Sequence, residues 1–429
     1  MQNGRRIVLA ILLLLAAAEF VVRAPVRYLH PTNWNDLAQY YATSRLWLRG
    51  QNFADADKFT AMWRDEVGET LSPNTARMHI APPPGALVLF APIAALPWPA
   101  SKLVWLAALL AGFVATVGSL WRIAGFSLTE PRALGFLAAC VALAPFHTGI
   151  ASGNQTIVVV ALCAFGIWAA GARSDMIAGL CFGAACSLKP HIAAFLLLYY
   201  LLQRRWRLLF TAATFTTMLV LLAAARMQFA GVSWLPDYLN NIRFGAAHNR
   251  IDDFTTANPI RFMLINLQVP FFSFTHSAKT ANLLAFSVGV VLILAWIFFV
   301  VRRQSREFEL LSLATIAVIG LLPLYHRLYD ASVLAIPVCW CLSRPKNLTH
   351  IANAALLLMA PFLVPGAAVL QQAVRQGRVP EAWAASWWWD RLVMPHQTWL
   401  LLSVSLVLLY GMAKRNQGVL ERPDEQLSR

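Results

Sequence analysis

Residues 178–207 read AGLCFGAACSLKPHIAAFLLLYYLLQRRWR. Two apolar runs flank one polar knot, Ser187-Leu188-Lys189-Pro190-His191, and the stretch closes on the cations Arg204, Arg205 and Arg207. Apolar runs that end on short basic clusters are the mark of membrane helices with their basic ends on the cytoplasmic side. The rest of the chain repeats the pattern. Of its 429 residues 59% are hydrophobic and only 13% charged, against about 25% charged in ordinary soluble domains. A surface so poor in charge excludes a soluble globular enzyme and a disordered chain. The formal charge of +15 points to no nucleic-acid partner, because the cations sit in short clusters between apolar runs.

Thirteen apolar segments follow, near 6–22, 84–97, 101–121, 132–150, 155–171, 175–188, 190–203, 207–230, 281–301, 307–324, 328–343, 351–371 and 398–413. The first has a basic start but no small-x-small cleavage site, so it reads as a retained helix rather than a signal peptide. Segment 258–275 is broken by Pro259, Asn266 and Pro270 and reads as interfacial. Arg5-Arg6, Arg122 with Arg132, Arg173, Arg204-Arg205 with Arg207, Arg302-Arg303, Arg344 with Lys346, and Lys414-Arg415 all fall inside if 84–97 does not cross completely. The expectation is an all-α polytopic membrane protein with about twelve crossing helices. A topology in which 84–97 crosses and 175–203 forms one span puts Arg122, Arg132 and Arg173 outside, against the positive-inside rule.

One transmembrane domain then covers residues 1–429. Its outside regions are 24–100, 231–280 and 373–397, and residues 414–429 form a cytoplasmic tail. Trp34, Trp47, Trp63 and Trp98, and the run Trp387-Trp388-Trp389, suggest short helices in the membrane interface, where indoles are favoured. Six cysteines lie in apolar stretches without a CxxC pair, which argues against disulfides or a zinc site. No compact ligand set is visible, although a divalent metal stays open.

Polar residues near a membrane are informative because their burial is costly without a partner or a role. Five groups qualify, and the adopted topology puts all five on or near the outer face. The first is Asn33-Trp34-Asn35-Asp36 running on to Tyr40-Tyr41, where Asn35 or Asp36 caps a helix through Arg49 or Asp36 accepts a proton from a hydroxyl. His79-Ile80-Ala81-Pro82-Pro83-Pro84 is a stiff extended entry to an apolar run. Gly153-Asn154-Gln155 is a short polar turn. Lys189 is a lone cation that snorkels to headgroups or binds an anion such as phosphate. Tyr325-His326-Arg327-Leu328-Tyr329-Asp330 either holds an internal Arg–Asp pair or sets His326 or Arg327 against an anionic leaving group.

In order along the chain these pieces resemble glycosyltransferase family 87, within the GT-C group of membrane glycosyltransferases. The resemblance rests on Asp36 with Tyr40-Tyr41 and Leu46 to Gly50, and on Pro82-Pro83 with LFAPIAALP. It continues through Gly153-Asn154-Gln155, residues 178–207 and HRLYDASVLAIP, spanning most of residues 1–340. Asn154 within the turn and Ala81 before the prolines are departures. The resemblance implies a GT-C fold with interfacial helices in a long first periplasmic loop, in a bacterial inner membrane. It also implies inverting transfer of a sugar, mannose favoured, from a polyprenyl-monophosphate donor to a lipid or glycan acceptor on the periplasmic side, with no cofactor beyond the donor. Asp36 is then the general base, and Lys189 and His326 hold or neutralise the leaving phosphate. Asn154, Gln155, Tyr40 and Arg327 are the remaining substrate-binding candidates. A polytopic lipid or solute transporter, or a flippase, is the competing class; it predicts broken helices in two matching halves around a midplane site.

Overall fold

A computed structural model of the chain describes residues 2–30, 35–68, 82–245, 252–302, 306–343 and 347–420. Asn33, Trp34, His79 to Ala81, Arg303, Arg344, Lys346 and the tail beyond residue 420 lie outside the described residues. The protein is 80% helical, without strands among the described residues. Five helices are long and apolar enough to cross a membrane: Ile7–Val26, Trp98–Ala124, Trp206–Phe229, Ala278–Arg302 and His396–Lys414. The count rises to seven if each of two bent pairs is one span: Pro131–Ala142 with Ala144–Ala151, bent by 42°, and Thr349–Leu363 with Gly366–Arg375, bent by 43°. Pro145 and Pro365 stand at the bends, where a ring without an N–H interrupts the ladder.

The other apolar segments form shorter helices of 10–17 residues. Pro84–Ala94 has eleven residues, about 16 Å at 1.5 Å per residue, roughly half of a bilayer core. Asp175–Leu188 and Pro190–Leu202 are two helices and not one span, because Lys189 between them is extended, with φ −142° and ψ 84°. The outer side chains of the long helices are bare: Leu14 and Leu15 are 70% and 63% exposed, and Phe286 and Val291 exceed 60%. Such apolar faces are liabilities in water and are satisfied by lipid.

One end of the bundle collects basic residues. The Arg122 guanidinium lies 5.4 Å from the Trp168 ring centre, Arg132 donates to the Ser343 carbonyl at 3.3 Å, and Arg205 pairs with Asp175 while donating to the Ala170 carbonyl. Helix Thr156–Gly171, sixteen residues long, leads from this end to the opposite one, about 24 Å away. Polar contacts also tie together the segments between the long helices. Asn52 donates to Asp237 at 2.6 Å and Asn241 to the Ala54 carbonyl at 2.6 Å, while Arg261 pairs with Asp390 at 2.9 Å.

The tryptophans of residues 24–100 are packed within the protein. Trp47 and Trp63 sit on short helices and Trp98 opens the long helix Trp98–Ala124, and all three are buried in protein. The Trp98 ring packs on Tyr41 and on Trp63, and the Trp47 indole donates to the Ala223 carbonyl at 3.0 Å. Of the later run, Trp387 is exposed and Trp389 buried.

Close packing of small residues sets the position of Lys189. Helix Asp175–Leu188 lies against Trp206–Phe229 through Gly179 and Gly183, where an added Cβ would come within 2.6 Å of the Leu208 carbonyl and 2.8 Å of the Ala212 carbonyl. Small residues four apart let membrane helices approach this closely. Gly183→Val should therefore push the helices apart and destabilise the fold by about 1–3 kcal/mol. Gly135→Ala, where an added Cβ meets nothing within 4 Å, should be neutral. Thermal unfolding of the two variants in detergent separates these outcomes.

Candidate active site

The turn Ser152–Gln155 organises the end opposite the basic one. Gly153 has φ +69°, and an added Cβ there would stand 2.9 Å from the Leu37 side chain, so only glycine brings the turn this close to helix Asn35–Leu48. The Gly153 carbonyl accepts from the Trp105 indole at 2.8 Å. Asn154, buried, then works in two directions. Its Oδ1 accepts from the Thr156 backbone N–H at 2.8 Å, capping the helix that follows, while its Nδ2 donates to Asp36 Oδ2 at 2.9 Å. The turn is thus a helix cap and also a tether for the carboxylate.

Asp36 lies inside the first turn of its helix, where negative charge suits the helix dipole. It is half-buried, and its identified partner is Asn154, 118 residues away. Tyr40, one turn on, stacks on Phe90 of helix Pro84–Ala94 at 4.8 Å between ring centres. Its phenol interacts electrostatically with Asp36, Asp330 and Tyr325, so it faces the same cleft.

Lys189 has a carboxylate partner within the protein. Its ammonium donates to Asp330 Oδ1 at 2.6 Å and stands 4.6 Å from the Tyr329 ring centre. Both partners are buried. Pro190 starts the next helix, and at the break before it the Leu188 carbonyl accepts from Gln155 Nε2 at 2.8 Å. The Gln155 Oε1 is buried, with no hydrogen-bond partner among the described residues.

Asp330 is the hub that the sequence reading left out of the site. It does not pair with the Arg327 guanidinium inside its own loop; it accepts the Arg327 backbone N–H at 3.0 Å on Oδ2. The same oxygen lies 3.3 Å from His326 Nδ1, and His326 Nε2 is 3.1 Å from the Gly320 carbonyl. Oδ1 takes Lys189 and stands 2.7 Å from the Thr156 hydroxyl, which is also 2.6 Å from Asn154 Oδ1. One hydroxyl proton serves one acceptor at a time, so Thr156 alternates between the two. A continuous polar path therefore runs from Asp36 through Asn154 and Thr156 to Asp330, Lys189 and His326.

Arg327 faces Tyr325, Tyr329, Asp36 and Asp252. The structure thus gathers all seven sequence candidates, Asp36, Tyr40, Asn154, Gln155, Lys189, His326 and Arg327, at one end of the bundle. It adds Asp330, Thr156, Tyr325, Tyr329, His191 and Asp252. The signal for Asp330 was present in the sequence, since a lone cation in an apolar run calls for a lone anion in another.

His191, His326 and Asp330 each bring one ligand-type atom within 4.8 Å of the others. The sequence showed no such set because His191 belongs to helix Pro190–Leu202, far from the loop that holds the other two. Their rings meet edge to face at 4.8 Å, and His191 Nε2 is buried with no partner among the described residues. A metal ion here would compete with the Lys189 ammonium for Asp330.

A half-buried carboxylate joined by hydrogen bonds to a buried Lys–Asp–His cluster has the parts that transfer to a hydroxyl with departure of an anion calls for. The family model of glycosyltransferase family 87 matches residues 82–324, taking in the Asn154 turn, Lys189 and Asp252 and stopping just before His326. No curated protein and no solved structure matches the chain. With more than half of its length matched, this membrane protein belongs to glycosyltransferase family 87 and is a glycosyltransferase.

Proposed function

We propose that the protein moves a sugar, mannose favoured, from a polyprenyl-monophosphate donor to a hydroxyl of a lipid or glycan, on the periplasmic face of a bacterial inner membrane and with inversion. One observation carries this reading: the Asp36 carboxylate is joined through Asn154 and Thr156 to the Lys189–Asp330–His326 cluster. Proton acceptor and cations then stand on one cleft, at the bundle end opposite Arg122, Arg132 and Arg205. Under the positive-inside rule that basic end is cytoplasmic.

In the proposed reaction the acceptor oxygen attacks the anomeric carbon while the bond from that carbon to the phosphate oxygen breaks. Asp36 takes the hydroxyl proton. Arg327 faces the departing phosphate, and Lys189 with His326 offsets the Asp330 charge that would otherwise repel it. A GT-C architecture of about twelve crossings fits this chemistry, with the short helices packed around the cleft. The test is label transfer from radiolabelled polyprenyl-phosphate-mannose in membranes that carry the protein, against membranes that lack it. Label appearing in a lipid or glycan with the inverted linkage supports the reading. With no transfer from this or other polyprenyl-phosphate sugars, the transporter class takes its place.

A further inference from the structure

The segment 252–268 is fastened across the polar loop. Leu264 pairs with Arg327 in an antiparallel bridge, and the Ile265 N–H donates to the His326 carbonyl at 2.9 Å. Asp252 stands at the start of this segment and interacts electrostatically with Tyr325 and with the Arg327 guanidinium. Its Oδ1 is buried with no hydrogen-bond partner among the described residues. Arg327 is shared, because Asp36 faces it as well.

The charges do not balance for a phosphate ligand. Lys189 and Asp330 neutralise each other, which leaves, among the described residues, two carboxylates, Asp36 and Asp252, around the Arg327 guanidinium. A sugar phosphodiester adds a further negative charge. Three anions on one cation in a partly desolvated cleft repel strongly. A proton on Asp252 removes the surplus charge and turns its unpartnered oxygen into a donor.

We propose that Asp252 binds the donor phosphate as a neutral carboxylic acid, its Oδ1 hydroxyl donating to a phosphate oxygen beside Arg327. The proposal deepens the reading above and rests on a donor that carries a phosphate. The proton is within reach: burial pushes the Asp252 carboxyl up to about 6, against the lowering pull of Arg327 and of Tyr325. Arg327 stays charged and Tyr325 neutral across the working range, and the neighbouring Asp253 is engaged with the Thr255 N–H and with Arg261. Below that pH the acid is already protonated and donor binding is at full strength. Above it each bound donor takes up a proton, so apparent affinity falls by up to ~10-fold per pH unit.

The test follows the KM for polyprenyl-phosphate-mannose from about pH 6 to about pH 8, with the full-length protein in lipid nanodiscs. Wild type should lose donor affinity by tens of fold, whereas Asp252→Asn, which keeps a donor without a titration, should give a flat profile. Asp252→Ala should bind weakly at every pH. A flat wild-type profile, or an Asp252→Asn profile as steep as wild type, overturns the proposal. Should the variants fail to fold, calorimetry of wild type in two buffers of different ionisation heat counts the proton directly. Close to one proton per donor bound supports the assignment, and none overturns it. Turnover with a flat pH profile sinks this inference alone, whereas failure to bind or use the donor at any pH sinks the phosphate-donor reading with it.

Discussion

Lys189→Met should lower the stability of the folded protein by about 3–5 kcal/mol, the range for removing one partner of a buried ion pair. The reason lies in what remains. Asp330 is fully buried, and without the ammonium its charge rests on the Thr156 hydroxyl, the Arg327 N–H and His326. Adding Asp330→Asn should recover more than half of the loss, because an amide removes the stranded charge yet still offers an oxygen to Thr156 or to the Arg327 N–H. Asp330→Leu should recover less: it orphans those donors, at about 1–3 kcal/mol for each buried group left unmet. Thermal unfolding in detergent, read by a thiol-reactive dye on the buried Cys140, Cys163 and Cys339, follows all of the variants. A single variant as stable as wild type would show that the pair is dispensable to the fold and would return Lys189 to the role of an anion ligand.

The same pair shows how far sequence reasoning reaches. The break at Lys189-Pro190, the turn at Gly153 and the helix starting at Pro84 were legible, because each depends on local backbone chemistry. Asp36 and Tyr40 on one helix face followed from a spacing of four. The lysine's partner did not, since it lies 141 residues away and no local period encodes such a distance. Asp252 was silent for a related reason: nothing about Asp252-Asp253 distinguishes it from a solvated loop until the Leu264–Arg327 bridge lays the segment over the cleft. The burial of the tryptophans was not legible, because an indole suits both a headgroup layer and a protein core, and the rings and carbonyls around Trp47, Trp63 and Trp98 lie far off in the chain or on other helices. Apolar runs likewise announce membrane helices but do not give their lengths. Those depend on where a proline or an extended residue breaks the run.

Asp36→Asn should reduce sugar transfer by about 10²–10⁴-fold, the usual contribution of a positioned general base, equal to roughly 3–5 kcal/mol of barrier. The substitution is chosen because it leaves the scaffold in place: the amide oxygen still accepts from Asn154 Nδ2, and the helix start is unchanged in shape. Only the capacity to take a proton is lost. The deficit should therefore fall on kcat, while the donor KM should not rise and should fall if anything, since the substitution removes a negative charge beside Arg327. Asp36→Glu should recover part of the rate, because the base is restored about one carbon bond out of place. Asn154→Ala supplies the complementary measurement. It keeps the carboxylate but frees it from its tether and removes the cap on Thr156, so its loss should be smaller than that of Asp36→Asn and accompanied by reduced stability. If Asp36→Asn keeps more than about a tenth of wild-type kcat, less than the weakest effect expected of a general base, then Asp36 is a structural anchor for the turn. The proton acceptor must in that case be sought elsewhere in the cleft, and Asp252, the other carboxylate facing Arg327, is the next residue to replace.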